Sequence, residues 1–128
     1  MRRAHVLVEG QTEETIVRDL IKPYVQERGT SLTYSILATK RPAGGGKFRG
    51  GVSRWSKIER EITLLLRDKS LDLLTTMIDY YGFPPDSPGM EDRPSGDARL
   101  RVAHVERSIR AVVARCPHAR DWLESLVG

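Results

Sequence analysis

Apolar residues in this chain gather into short runs separated by stretches in which they return at helical spacing. The first run, Ala4-His5-Val6-Leu7-Val8, is aliphatic and β-branched with no polar alternation, as in a strand buried on both faces, and it predicts a strand over residues 3–8. Ile16, Val17, Leu20, Ile21, Tyr24 and Val25 follow at intervals of three and four, the period of an amphipathic helix. Thr12 stands where a cap belongs, and Glu13 and Glu14 fall in the first turn, where the helix dipole favours negative charge. Pro23 is expected to kink or end this helix, because it has no N–H to donate. Residues 32–39, rich in Thr, Tyr and Ile, read as a second strand, and residues 71–78 as a third that ends at Asp79. Between them Ser53 caps a helix with Trp55, Ile58, Ile62, Leu65 and Leu66 on one face. Residues 100–115 form another helix, and Pro117 separates it from a short terminal helix bearing Trp122, Leu123 and Leu126.

Strand, helix, strand is the grammar of a parallel crossover, so the expected class is α/β with a mainly parallel sheet flanked by helices. Two segments interrupt the pattern. Residues 40–52 mix five glycines with Lys40, Arg41, Lys47 and Arg49 and read as a basic loop, and residues 82–96, with Pro84, Pro85, Pro88 and Pro94, exclude regular structure. A chain of 128 residues suits one domain, 1–128, with a core in residues 1–90 and a helical part in 91–128.

Composition narrows the setting. At 39% hydrophobic and 30% charged the chain is ordinary for a globular protein. No apolar stretch approaches the ~20 residues of a membrane span, and Met1-Arg2-Arg3 leads into a strand-like run and not a signal-peptide core, so no membrane and a cytoplasmic address are expected. The lone Cys116 forms no intramolecular disulfide, in keeping with that address. A net charge of +4 permits a polyanionic partner without requiring one.

The chemistry converges on acids. Glu9 closes the first strand and Asp79 the third, and in a parallel sheet those ends open on the same edge. Glu13 adds a carboxylate four residues after Glu9. Oxygen donors with no Cys or His cluster favour Mg²⁺ or Mn²⁺ over zinc. The alternative is that Glu9 simply ends a strand at the surface and Asp79 caps a turn. Lys40, Arg41, Lys47, Arg49 and Arg54 are candidates to hold a nucleic-acid backbone through phosphate contacts, set against the plainer reading of a solvated loop. Gly44-Gly45-Gly46-Lys47-Phe48 lacks both the spacing and the Ser or Thr of a phosphate-binding loop. Cys116 and His118 have no second pair with which to bind zinc. His5 and His104 read as strand and helix residues without a catalytic role, and no Ser or Cys is evidently paired to a placed His.

Three segments together carry a family resemblance. Val8-Glu9-Gly10-Gln11-Thr12-Glu13-Glu14, Gly51-Val52-Ser53-Arg54-Trp55 after the basic loop, and Thr75-Thr76-Met77-Ile78-Asp79-Tyr80-Tyr81-Gly82-Phe83-Pro84 resemble a bacterial family of unknown function often called RloG-like. That family is similar to the Toprim domain of topoisomerases, primases and overcoming-lysogenization-defect nucleases, and the likeness covers residues 4 to about 90. It implies a Toprim-like fold in which Glu9 is a metal ligand or general acid/base, Glu13 the second acid and Asp79 the first aspartate of an Asp-x-Asp pair. Tyr81 stands where the second aspartate would be, and Asp86 is the candidate to replace its oxygen. The C-terminal part passes directly from Arg101-Val102-Ala103-His104-Val105-Glu106 to a closing segment around Trp122, which implies a shortened member.

The function so implied is metal-dependent phosphodiester hydrolysis, as a nuclease or nuclease subunit in bacterial defence or DNA maintenance, with a partner ATPase. Non-catalytic nucleic-acid binding and a protein-interaction role are the alternatives, and the sequence leaves the oligomeric state open.

Overall fold

The computed structural model describes residues 2–37, 54–79 and 83–115. The chain divides into two compact units, each assembled from two stretches of sequence: Met1–Val52 with Ser70–Gly82, and Ser53–Lys69 with Phe83–Gly128.

The first unit is built on a three-stranded, wholly parallel sheet in the order β2-β1-β3, where β1 is Arg2–Val8, β2 Thr30–Ile36 and β3 Leu73–Met77. β1 lies in the middle, and Ala4 through Val8 are all buried, as the unbroken apolar run predicts. Arg3 fixes where β3 begins. Its N–H donates to the Asp72 carboxylate at 2.8 Å, its carbonyl accepts from Asp72 N–H at 2.8 Å, and its guanidinium reaches Ser70. β2 starts two residues earlier than expected, because Thr30 already pairs with Arg2.

The helical stretch after β1 runs as Gln11–Ile16 (α1), a π-helical segment Val17–Ile21, and Lys22–Gln26 (α2). Gly10 and not Thr12 holds the capping position: its extended backbone lets its carbonyl accept from Glu14 N–H at 3.0 Å, so Thr12 is already inside the first turn. Pro23 does not end the helix. The wider turn just before it, closed by Lys22 N–H to Val17 O, carries the chain past the proline, which cannot donate to the residue four back. One side of the sheet, with Ala4, Val6, Val8 and Leu32, packs against Val17, and Ile21, Val25, Tyr34 and Met77 close around them.

The second unit contains helices α3, Trp55–Leu65, and α4, Ala98–Val113. α3 buries Trp55, Ile58 and Ile62 on one face, as its spacing predicts. The first N–H of α3, that of Trp55, donates to the Asp86 carboxylate at 3.0 Å, so an acid from the Pro-rich segment caps this helix. Asp97 caps α4 by accepting from Leu100 N–H at 3.0 Å, so the helix starts two residues ahead of its predicted start. Residues 83–97 are turns and bends, as their prolines dictate. The predicted basic loop and the predicted terminal helix lie outside the described residues.

Candidate functional site

The strand order locates the site before any side chain is considered. From β1 the chain crosses to β2 on one side and then returns to β3 on the other, so the carboxyl ends of β1 and β3 flank the point where the winding reverses. At such a point the outgoing connections part and leave a crevice, the usual ligand position in open α/β sheets.

Glu9 and Asp79 both stand there. Glu9 follows β1 directly, its N–H donating to Met77 O at 3.2 Å, and Asp79 lies two residues beyond the end of β3. The two residues touch: Asp79 N–H donates to the Glu9 carboxylate, Oε2, at 3.1 Å. That bond aims the half-buried Glu9 side chain across the edge towards the exposed Asp79. Glu13, in the first turn of α1, completes the acidic side of the edge. Its Oε2 comes within 3.7 Å of the position a Cβ on Gly10 would take, which places its carboxylate close over the turn after Glu9. Glu14, by contrast, faces Arg18 at 3.7 Å and the Tyr34 hydroxyl at 3.5 Å.

Burial dominates the electrostatics here, and the neighbouring acids add to it. Burial pushes the Glu9 carboxyl above the ordinary glutamate range, the Asp79 N–H pulls it partly back, and the charges of Glu13 and Asp79 raise it further. A raised carboxyl pKa means that the folded state disfavours the charge. The stability it contributes is complete below the usual value of 4.5 and is lost as pH rises through the folded value. Glu9→Gln, which keeps an acceptor for Asp79 N–H, is therefore expected to melt above the wild type at pH 7 and to converge with it below about pH 4. Thermal melts at the two pH values test this, and a variant that melts lower at pH 7 contradicts it.

The remaining predicted residues belong to the second unit or lie outside the described residues. Asp86 belongs to the second unit, where it is exposed and caps α3. Arg54 immediately precedes α3 in the same unit and is exposed. Lys40, Arg41, Lys47, Arg49 and Tyr81 lie outside the described residues. Among the described residues no three His, Cys, Asp or Glu side chains form a group that could hold a metal ion. No described helix is long and apolar enough to cross a membrane.

Sequence reasoning missed one arrangement. His5 is not an isolated strand residue, because it stands between the hydroxyls of Thr33 and Ser35 on β2. The pairing depends on the β1–β2 register, which no local pattern reveals.

The site and its neighbourhood fall within one family match, to a domain of unknown function, DUF4276, spanning residues 8–115. The chain belongs to this family. The matched range opens on Val8 and Glu9 and contains Glu13, Asp79 and Asp86. No curated protein and no solved structure matches the chain.

Proposed function

We propose that this DUF4276 chain is an RloG-like, Toprim-related, metal-dependent phosphodiester hydrolase, a nuclease or nuclease subunit acting on nucleic acid. The observation that carries the reading is the meeting of Glu9 with Asp79 at the point where the sheet's winding reverses, with Glu13 close by. A carboxylate that burial first, and neighbouring acids after it, make resist ionisation is one whose charge a divalent cation would stabilise.

Their number fits an open site and not a closed cage. Mg²⁺ is commonly held by one or two carboxylates, with waters and substrate phosphate oxygens completing its shell, and Glu9 and Asp79, with Glu13 close to Glu9, supply that many. When bound, Mg²⁺ or Mn²⁺ would activate water and neutralise charge on the phosphoryl oxygens. Glu9, its carboxyl raised and its orientation set by Asp79 N–H, is suited to take up a proton at the edge. Lys40, Arg41, Lys47, Arg49 and Arg54 are assigned to backbone phosphates, whereas the Asp86 carboxylate is engaged as the cap of α3. The setting proposed is the bacterial cytoplasm, in defence or DNA maintenance, beside a partner ATPase.

The absence of a three-acid group among the described residues favours a second reading, a non-catalytic nucleic-acid-binding or protein-interaction subunit. Calorimetric titration of Mn²⁺ and Mg²⁺ separates the metal reading from its absence. Wild type is expected to bind, and Glu9→Gln to bind about tenfold more weakly, the loss of roughly one charged ligand contact. Identical isotherms would remove the metal site. Plasmid and single-strand cleavage with Mn²⁺, lost in Glu9→Gln and Asp79→Asn, is the expected catalytic result, whereas binding without cleavage at high protein concentration selects the second reading.

A further inference from the structure

A second group of polar side chains stands on the sheet itself, within the first unit and independent of the acidic edge. His5 on β1 is only 9% exposed, and its register partner on β2 is Thr33, with Ser35 two residues along on the same face. The imidazole bridges both: Nδ1 lies 2.7 Å from Thr33 Oγ1 and Nε2 lies 2.8 Å from Ser35 Oγ.

In one imidazole tautomer every proton of this group has an acceptor. The Thr33 hydroxyl has one proton, which can go to the Ala4 carbonyl oxygen at 3.5 Å. Thr33 Oγ1 then accepts from His5 in the tautomer that carries its proton on Nδ1. Nε2 is left as a lone-pair acceptor, and Ser35 Oγ–H donates to it. The chain of bonds runs from Ser35 through His5 and Thr33 to the backbone, in the order serine, base and orienting group that characterises hydrolytic triads.

We propose that Ser35 is a nucleophilic serine, with His5 as its general base and Thr33 as the residue that positions the imidazole, and that it reacts with small electrophilic esters. Ser35 is half-buried on an outer strand of the described sheet, so a small reagent can approach it while His5 stays shielded. With a fluorophosphonate, the Ser35 Oγ–P bond forms, the P–F bond breaks, fluoride leaves and the serine proton passes to His5 Nε2.

Fluorophosphonate labelling of the full chain, with the adduct mapped by peptide mass, tests the assignment. The expected result is an adduct on Ser35 that is absent in Ser35→Ala and forms at least about tenfold more slowly in His5→Gln. Thr33→Val is expected to slow labelling several-fold when each variant is labelled well below its own thermal midpoint. If His5→Gln does not fold, Thr33→Val carries the test alone. No adduct on Ser35, or a rate equal in Thr33→Val, overturns the proposal, since a purely structural histidine would give those results.

Discussion

Leu32→Ala is expected to lower the stability of the first unit by about 3–4 kcal/mol, in the middle of the range for buried leucines. Leu32 is 4% exposed and pairs in register with Ala4, the smallest member of the cluster that also holds Val6, Val8 and Val17. The large residue on β2 fills the room left by the small one on β1. Removing it therefore opens a void beside Ala4. β-branched Val6, Val8 and Val17 have few rotamers with which to adjust, so the surroundings relax little. Urea unfolding followed by circular dichroism measures the loss, and hydrogen exchange at the β1 amides assigns it to the sheet. A loss under about 1 kcal/mol would mean that the helix settles onto the sheet and closes the gap.

Gly89→Ala is expected to destabilise the second unit by about 3 kcal/mol, from two causes that add. Its φ of +82° lies in the left-handed region, where a side chain is strained. In addition, a Cβ at this position would meet Ser108 Oγ at 2.5 Å, Ser108 Cβ at 2.8 Å and the backbone Cα of Val105 at 3.2 Å. The last two are fixed to helix α4, whose Val105 is buried, so the Pro-rich turn would have to lift off the helix. Gly29 separates the two causes: its φ is +87° but a Cβ there would meet nothing within 4 Å, and Gly29→Ala is expected to cost only about 1 kcal/mol. Ser108→Ala in the Gly89→Ala background should restore part of the loss, since it removes the hydroxyl but neither carbon. Equal losses at the two glycines, read from the denaturant midpoints, would show that backbone strain alone matters.

β1 was legible because Val6, Leu7 and Val8 leave no polar alternation, and only a central strand of a parallel sheet tolerates that. The helix after it was legible in kind but not in orientation. Ile16, Leu20 and Tyr24 repeat at the same interval as Val17, Ile21 and Val25, and periodicity alone gives the two rows equal standing. The structure turns the second row to the sheet and leaves Ile16 43%, Leu20 71% and Tyr24 58% exposed. Glu9 and Asp79 could be placed on one edge from strand ends alone, but their direct contact depends on the order β2-β1-β3, which the chain does not announce. The His5 pairing was illegible for the same reason: Thr33 and Ser35 look like ordinary strand residues until the register is known. Asp97 and Asp86 differ instructively. The first caps a helix it precedes, a local signal, whereas the second caps a helix 31 residues earlier in the chain.

The division of the first unit into two stretches, with Ser70–Gly82 returning after an excursion through residues of the second, bears on how the protein comes into being at the ribosome. β1, its helix and β2 emerge first and can pair on their own, with one side of β1 left as an open edge until β3 has been synthesised. The bond between Asp79 and Glu9 spans 70 residues, so the acidic pair comes into existence only with that last strand. A nascent chain thus carries Glu9 without the Asp79 N–H that supports its carboxylate, and the edge gains that support only at the final step of assembly, when the packing around β1 is already present to hold it.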